Sequence, residues 1–342
     1  MNNEQQQLTR KDFLSGTEPK WCPGCGCNVV LNRLTGTFPL LGIPKEKFVM
    51  VSGIGCSSRF PYYLNTYGFH GIHGRAAPVA SGLKLHNPDL SVWVATGDGD
   101  GLAIGGNHFI HLMRRNVDIK VVLFNNQIYG LTKGQASPTT QVGVKTKTTP
   151  FGSEEIPMRP LPLAIASGAT FAARISDSDP DLISEVLLAA GKHKGIAFIE
   201  VMINCIIFND GAFKALTDIN VRAENIIRLK HGEPLIYGTN KDKGVKLNGV
   251  RPESFKLGAG GNADSALVHD IHNPDSTPAY LLASMEHPSS PVPFGIFRQV
   301  SKPVYGDRTM PAPSDTEVEK LMMSGGNSWQ LDDSGNIGTV DP

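Results

Sequence analysis

The sequence lacks an excess of charge of either sign and contains no long apolar run. Lysine plus arginine and aspartate plus glutamate both number 32, so the formal net charge at pH 7 is zero. This balance indicates neither nucleic acid nor an anionic membrane as a partner. The longest apolar stretch, residues 196–208, is interrupted by Glu200 and Asn204 and falls short of the roughly 20 residues of a membrane-spanning helix. Because residues 1–20 also lack the apolar segment of a secretory signal, we expect a soluble, cytoplasmic protein.

Aromatic residues are sparse, at 7% of the 342 residues, although hydrophobic residues together reach 40%. A chain of this length holds one large α/β domain or two smaller ones. Short apolar strands alternate with helices between Thr17 and Asp210, which predicts a mainly parallel sheet with helices on both faces. We predict a flexible arm over residues 1–16, an α/β domain over 17–214, an irregular C-terminal extension over 215–306 that packs on the domain or on a partner subunit, and a tail over 307–342.

A glycine-rich turn carries the first candidate site. The run Gly-Asp-Gly-Asp-Gly at 97–101 follows one predicted strand, and Asn126 follows the next. A predicted helix joins them, so the two strands are parallel and their carboxyl ends lie side by side. The strands cover residues 91–96 and 120–124, and the helix covers 102–115. Asp98 and Asn126 should therefore lie at one edge of the sheet, where the helix amino terminus favours a phosphate.

Carboxylate and amide oxygens at such an edge suit Mg²⁺, which binds oxygen ligands and bridges to phosphates. The alternative is an ordinary glycine turn in a strand–helix–strand crossover, because glycine-rich turns alone are weak signals. The acidic residue within the turn and the two strand contexts favour the magnesium site.

The five cysteines form the second candidate site. Cys22 and Cys25 make a Cys-x-x-Cys pair, whereas Cys56 and Cys205 each follow a predicted strand. Both single cysteines therefore leave the sheet at the edge predicted to carry Asp98. Four converging thiolates could hold a [4Fe–4S] cluster.

Three other interpretations of the cysteines remain open at this point. A structural zinc site normally uses two Cys-x-x-Cys pairs, and only one is present. A thioredoxin-like site would use Cys22 and Cys25 alone and leave Cys56 and Cys205 without a role. Inert buried thiols are the simplest possibility.

Several segments together resemble one family. The Gly-Asp-Gly turn with its downstream asparagine resembles the diphosphate-binding motif of thiamine-diphosphate enzymes. The chain further resembles the β subunits of 2-oxoacid:ferredoxin oxidoreductases, and most closely their 2-oxoglutarate-using members, from about Thr17 to Tyr305. The segments that carry this likeness are Cys-Pro-Gly-Cys-Gly at 22–26, Gly-Ile-Gly-Cys-Ser at 53–57, His-Gly-Arg-Ala at 73–76, residues 124–135 and residues 208–213.

The resemblance implies an assignment for both candidate sites. Mg²⁺ and thiamine diphosphate would be held by Gly97, Asp98, Gly99, Asn126 and the main-chain carbonyl of Ile128. A [4Fe–4S] cluster would be held by Cys22, Cys25, Cys56 and Cys205, with Cys27 as a spare, packed thiol. His73 and Arg75 would lie close to cofactor and substrate, and His73 would serve in proton transfer or polarise the substrate carbonyl. Lys133 would pair with the distal carboxylate of 2-oxoglutarate, since a buried dicarboxylate needs a second cation.

The resemblance also implies a reaction and its partners. The enzyme would convert 2-oxoglutarate, coenzyme A and two oxidised ferredoxins to succinyl-CoA, CO2 and two reduced ferredoxins. An α subunit would supply the pyrimidine half of the cofactor site, so we expect the chain to be inactive alone. The competing functions are a β subunit for pyruvate or a broad range of 2-oxoacids, a four-cysteine metal scaffold or electron-transfer subunit, and a non-redox thiamine-diphosphate decarboxylase.

Overall fold

A computed structural model describes residues 8–258 and 263–307, together with the backbone of 328–331 and 337–340. Residues Met1–Tyr305 form one compact unit and Gly306–Pro342 form a second. None of the helices in the described ranges has the length and hydropathy that a membrane crossing requires.

An eight-stranded sheet organises the first unit, with strand order β2-β1-β3-β4-β6-β5-β11-β7. Strands β1 to β6 are parallel to one another, and β11 runs antiparallel to β5. These strands are β1 (Phe48–Ser52), β2 (Tyr67–His70), β3 (Ser91–Gly97), β4 (Ile119–Asn125), β5 (Phe171–Ser176), β6 (Ala197–Met202), β7 (Ile226–Arg228) and β11 (Val292–Gln299). The mainly parallel sheet predicted from the alternating pattern is therefore confirmed.

Smaller sheets lie outside this one. Strands β8 (Ile236–Tyr237), β9 (Lys243–Asn248) and β10 (Arg251–Lys256) form an antiparallel sheet. The backbone of β12 (Ser328–Leu331) pairs antiparallel with β13 (Ile337–Val340). The rest of the predicted tail, from residue 308, lies outside the described residues.

Helices cover both faces of the main sheet because successive strand residues point to opposite sides. In β1, Phe48 and Met50 pack in one core cluster with α1 and α6, whereas Val49 and Val51 pack in another with α3, α4, α5 and α9. The helices are α1 (Gly26–Thr37), α2 (Phe60–Tyr63), α3 (Ala76–His86), α4 (Gly106–Arg115), α5 (Pro160–Ala166), α6 (Pro180–Lys192), α7 (Lys214–Thr217), α8 (Arg222–Asn225) and α9 (Thr277–Ala283).

The crossover between β3 and β4 differs from the single helix predicted over 102–115. A π-helical turn, Asp100–Ile104, precedes α4. Gly74 packs closely against this turn, since a Cβ on Gly74 would lie 2.7 Å from the Gly105 nitrogen. Such π turns concentrate at functional sites because they redirect side chains out of the helical repeat.

Two predictions about the ends of the α/β domain are wrong in part. Within the predicted flexible arm, Phe13 is fully buried and its ring contacts those of Phe38 and Phe48, each at 5.4 Å between centroids. The predicted irregular extension contributes β11 to the main sheet, although Pro293 makes its sequence atypical of an inner strand. Aromatic burial and strand pairing therefore make both segments part of the first unit.

Candidate functional site

The glycine turn and Asn126 meet at the carboxyl edge of the sheet. Strands β3 and β4 are parallel, with Gly97 paired to Phe124, so the chain segments that follow them emerge side by side. Asp98, Asn126 and Ile128 line one cavity of about 530 Å³ together with His73, Gly97 and Gly99. We call this space the glycine-turn cavity.

Gly99 is required for a reason that the sequence did not suggest. A Cβ at this position would overlap the ring of Tyr129, whose hydroxyl donates a hydrogen bond to the Gly99 carbonyl at 3.1 Å. By contrast, the nearest atoms to a Cβ on Gly97 would be 3.7 Å away. Gly99 therefore makes room for the ring of Tyr129, whereas Gly97 lines the cavity without placing a side chain in it.

Asp98 is buried, with 3% of its surface exposed. The hydroxyls of Ser137 and Thr139 both donate to its Oδ2 atom at 2.6 Å. Burial raises the pKa of Asp98 to about 6, although these hydrogen bonds act in the opposite direction. A carboxylate held in this way gains from a cation, because a cation compensates the cost of burying the charge.

Residues 126–128 form a tight loop after β4. Gln127 has a positive φ of 57°, and the Asn126 Oδ1 atom accepts a hydrogen bond from the Ile128 nitrogen at 3.2 Å. The Asn126 carbonyl accepts from Asn209 and the Gln127 carbonyl accepts from Thr140. Among the described residues, no donor bonds to the Ile128 carbonyl, which leaves its oxygen available as a ligand.

Of the predicted catalytic residues His73 and Arg75, only His73 lines the glycine-turn cavity. His73 lines the glycine-turn cavity and forms a 2.7 Å hydrogen bond through Nδ1 to Asp100, a buried residue of the same turn. Arg75 does not line it, and its guanidinium lies near the carbonyls of Gly74 and Ile104. The roles predicted for His73 and Arg75 remain predictions.

All five cysteines line a second cavity of about 340 Å³, which we call the cysteine cavity. Gly130 lies between the sulfurs of Cys56 and Cys205, each of which would be 3.6 Å from a Cβ at this position. Trp21 donates a hydrogen bond from Nε1 to the Cys56 carbonyl at 2.7 Å and ties the amino-terminal cysteine loop to the loop after β1. The structure thus brings Cys22, Cys25, Cys56 and Cys205 together.

The thiols influence each other's ionisation. A hydrogen bond from Cys27 lowers the pKa of Cys25 to about 7. Burial raises the pKa of Cys56 to about 11, with further contributions from the nearby Cys25, Cys205 and Cys22. Cys27 is fully buried, and its hydrogen bond to Cys25 together with burial raises its pKa well above the usual range. Cys27 is therefore a protonated donor to Cys25.

In the described part of the chain, no group of three or more His, Cys, Asp or Glu side chains is spaced to hold a single metal ion. Around one tetrahedral zinc, four sulfurs would each lie about 2.3 Å from the ion. The cysteines do not show that close spacing. The oxygen set of Asp98, Asn126 and the Ile128 carbonyl contains one residue of those four types.

The two cavities share part of their walls. Lys133, predicted to bind the substrate, lines the cysteine cavity and is exposed. Five residues line both spaces, namely Cys56, Asn126, Gly130, Leu131 and Ile203. A group bound at the glycine turn and a group bound by the cysteines would therefore be neighbours.

Sequence reasoning missed the residues that support these side chains. Asp100, Ser137 and Thr139 contact His73 or Asp98, and Asp177 lies against the cysteine loop through Gly26. Asp100 had a signal, as the second acidic residue of the Gly-Asp-Gly-Asp-Gly run. The hydroxyls lie in the Thr-rich loop over 129–160, where the sequence shows no periodicity that could distinguish them.

The serines after Cys56 have mixed surroundings. Ser57 lines the glycine-turn cavity and Arg59 lines the cysteine cavity. The Ser58 hydroxyl is buried and has no hydrogen-bond partner among the described residues. Ser58 lines neither cavity, so its unpaired hydroxyl does not point to a group bound in them.

Comparison with known proteins connects both cavities to one family. Residues 53–201, which include the glycine turn and Asn126, match the model of the C-terminal TPP-binding domain of thiamine pyrophosphate enzymes. The chain is 47% identical over 331 residues to the 2-oxoglutarate oxidoreductase subunit KorB of Mycobacterium tuberculosis, across 94% of this chain and 88% of that protein. It is 46% identical over 185 residues to the 2-oxoglutarate synthase subunit KorB of Archaeoglobus fulgidus, across 54% and 69%.

A solved structure gives the same result. The 2-oxoglutarate:ferredoxin oxidoreductase from Magnetococcus marinus, with 2-oxoglutarate, coenzyme A and succinyl-CoA bound, matches with a TM-score of 0.72 and 32% identity. The match covers 95% of this chain and 93% of that chain. The similarity in sequence and in fold thus extends over nearly the whole chain, and the protein belongs to the family of 2-oxoacid:ferredoxin oxidoreductase β subunits, close to the 2-oxoglutarate oxidoreductases.

Proposed function

We propose that the chain is the β subunit of an enzyme that converts 2-oxoglutarate and coenzyme A to succinyl-CoA and CO2 and passes two electrons to ferredoxin. The observation that carries this proposal is the shared wall between the glycine-turn cavity and the cysteine cavity. An oxidative decarboxylation that ends in one-electron transfer needs a carbon site and an electron acceptor close together. The adjoining cavities meet that need.

The glycine-turn cavity suits thiamine diphosphate with Mg²⁺. Asp98, Asn126 and the Ile128 carbonyl offer three oxygens, and oxygen ligands are those that Mg²⁺ prefers. The buried Asp98 carboxylate and the Ile128 carbonyl, which has no donor among the described residues, would both gain a partner from a cation. Gly97 lines the same cavity and has no side chain to occupy it, so the diphosphate can approach the main chain there.

The cysteine cavity suits a [4Fe–4S] cluster held by Cys22, Cys25, Cys56 and Cys205. Four thiolates are the usual ligands of such a cluster, and the cavity volume of about 340 Å³ leaves space between them. Cys27 is excluded as a ligand because it is fully buried and donates its hydrogen bond to Cys25.

The bound groups would supply the chemistry that side chains lack, namely carbanion stabilisation from thiamine diphosphate and one-electron transfer from the cluster. The protein's task is to bind and orient. We propose that Lys133 pairs with the distal carboxylate of 2-oxoglutarate from its position beside the shared wall. His73 lies at the cavity wall, where it can exchange a proton with the substrate.

We further propose that an α subunit completes the active site and that ferredoxin is the electron acceptor. The relatives are named as subunits of larger enzymes, and the described part of this chain carries one diphosphate motif. The complex would then hold the cofactor between the two subunits.

The decisive experiment is anaerobic purification of the complex with its α partner, followed by metal, sulfide and thiamine-diphosphate analysis. About four irons and four sulfides per β chain and one thiamine diphosphate are expected. Ferredoxin reduction should be faster with 2-oxoglutarate than with pyruvate, and Lys133→Gln should narrow that difference while Lys133→Arg retains it. Faster turnover of pyruvate would assign the other substrate, and zinc without iron would support the scaffold function instead.

A further inference from the structure

Asp100 is the most heavily bonded acidic side chain at the glycine-turn cavity. Its Oδ1 atom accepts from the Ile54 nitrogen at 3.0 Å, the Gly74 nitrogen at 2.8 Å and His73 Nδ1 at 2.7 Å. The Thr96 hydroxyl donates to Oδ2 at 2.7 Å. The Asp100 side chain is 1% exposed, so its position is fixed by partners and not by solvent.

These contacts assign the tautomer of His73. Backbone N–H groups can only donate, so two of the three groups around Oδ1 of Asp100 are donors that cannot reverse. Oδ1 must therefore be an acceptor for His73 as well, and Nδ1 carries the hydrogen. Among the described residues, Nε2 of His73 has no partner, and the ring lines the cavity with 37% of its side chain exposed.

We propose that Asp100 is a positioning residue, which locks His73 in the tautomer with hydrogen on Nδ1 and so presents the Nε2 lone pair to a hydrogen-bearing group of a bound substrate, such as the thiol of coenzyme A. This inference rests on the proposed function, because coenzyme A is a substrate of the proposed reaction. The Gly53 position supports a fixed arrangement, since a Cβ there would overlap the Asp100 carboxylate.

Two substitutions separate the parts of this pair. His73→Asn keeps a donor where Nδ1 lies and removes Nε2, so the hydrogen bond to Asp100 can persist. Asp100→Ala removes the acceptor and leaves the imidazole free to rotate or change tautomer. In the complex with the α partner, we expect each to lower kcat by roughly 100-fold, as for loss of a positioned proton acceptor, with KM for 2-oxoglutarate changed less than about threefold.

The double variant is the main test. If Asp100 acts through Nε2, adding Asp100→Ala to His73→Asn should lower kcat by less than about threefold further, because the group being positioned is already absent. Two full losses that multiply would mean that Asp100 is a structural residue only and would overturn the proposal. Should the alanine variant fail to fold, the tautomer of His73 measured in the wild-type chain decides the proposal.

A spectroscopic readout does not depend on turnover. Nitrogen NMR of the full chain labelled in its histidines, with the His73 signals identified by their loss in His73→Asn, should show hydrogen on Nδ1. Thr96→Val, which removes the bond to Oδ2 of Asp100 and leaves the contacts of Oδ1 in place, should leave that pattern unchanged, whereas Asp100→Ala should shift it towards mixed tautomers. Hydrogen on Nε2 in the wild-type chain would contradict the proposal even if the enzyme oxidises 2-oxoglutarate. Conversely, an inactive complex with the expected tautomer would count against the proposed function alone.

Discussion

The parallel strands of the main sheet bury charged groups at both of their ends, which we call the amino edge and the carboxyl edge. The charged groups at the two edges differ in whether the protein itself supplies their partners. At the amino edge, Lys120 is 4% exposed and its Nζ atom contacts Asp118 at 2.5 Å, the His193 carbonyl at 2.6 Å and the Gly195 carbonyl at 3.2 Å. Asp118 is paired a second time, with Lys84 at 3.1 Å. Every one of these charges is therefore satisfied within the protein.

At the carboxyl edge several polar groups are held in place but not saturated. Asp98 is buried with its pKa raised to about 6, the Ile128 carbonyl has no donor in the described ranges, and Nε2 of His73 has no partner there. The sulfurs of Cys56 and Cys205 face a cavity instead of a partner. Unpaired polar groups cost free energy where they are buried, and these groups line two cavities, so their concentration at one edge indicates ligands that complete them.

Substitution of Asp98, at the carboxyl edge, should have the largest effect on cofactor binding. Asp98→Asn removes the charge that Mg²⁺ would neutralise, so thiamine diphosphate should bind at least about 100-fold more weakly in calorimetric titrations with Mg²⁺ present. Ser137→Ala, which removes one hydrogen bond to the same carboxylate, should cost only about tenfold, as for a group that orients a ligand. Equal and small effects of both substitutions would contradict the role of Asp98 as a metal ligand.

Gly26 tests the cysteine cavity with a matched control on the same helix. A Cβ on Gly26 would overlap the Asp177 carboxylate, whereas a Cβ on Gly36 would meet nothing within 4 Å. Gly26→Ala should therefore displace the loop that carries Cys25 and lower the iron content of the anaerobically purified chain by more than about half. Gly36→Ala should leave iron unchanged and stabilise the helix by roughly 0.5–1 kcal/mol. Full iron in both variants would show that the cavity does not depend on this close contact.

At the amino edge, substitution of Lys120 should lower stability without changing cofactor binding. Lys120→Met should lower the free energy of unfolding by about 3 kcal/mol, because it breaks a buried pair and leaves two carbonyls without their donor. Thiamine-diphosphate affinity and iron content should not change, since neither cavity is lined by this residue. Lys192→Met, at an exposed position of α6, is the control and should be nearly neutral in chemical denaturation. Loss of cofactor binding in Lys120→Met would remove the distinction between the edges.

The sequence predicted the carboxyl edge better than the contacts that support it. Strand periodicity located β1 without error, and strand direction indicated that Asp98, Asn126 and the cysteines would converge. These predictions succeed because a strand's burial pattern and its carboxyl end are local properties.

The hydrogen-bond partners that loops contribute could not be predicted from the sequence. Ser137 and Thr139 reach Asp98 across about 40 residues of chain, and nothing in their local pattern separates them from neighbouring hydroxyl residues. Asp100 becomes informative only when Ile54 and Gly74 are known to donate to it. Long-range polar contacts depend on the path of loops, which carry no periodic signal.

His193 tests the amino edge through a smaller effect, the pH dependence of the free energy of unfolding. It lies at the edge where the charged groups have partners, and its imidazole can still gain a proton at acid pH. Burial lowers its pKa from the ordinary 6.5 to about 4, and its Nε2 atom bonds with the Thr170 hydroxyl at 2.9 Å. The folded pKa lies below the unfolded one, so the unfolded state binds more protons between these values. The stabilisation from neutral His193 is then complete above pH 6.5 and decreases as the pH falls towards 4, by on the order of 2 kcal/mol.

Urea denaturation at pH 7 and at pH 4.5 measures this decrease. His193→Gln, which can retain the bond to Thr170, should make the free energy of unfolding less dependent on pH, whereas His231→Gln, at an exposed position, should leave the dependence as in the wild type. An unchanged slope in His193→Gln would mean that His193 is protonated in the fold. The amino edge would then hold a charged imidazole without a compensating partner. The two edges would differ only in whether a ligand can reach them.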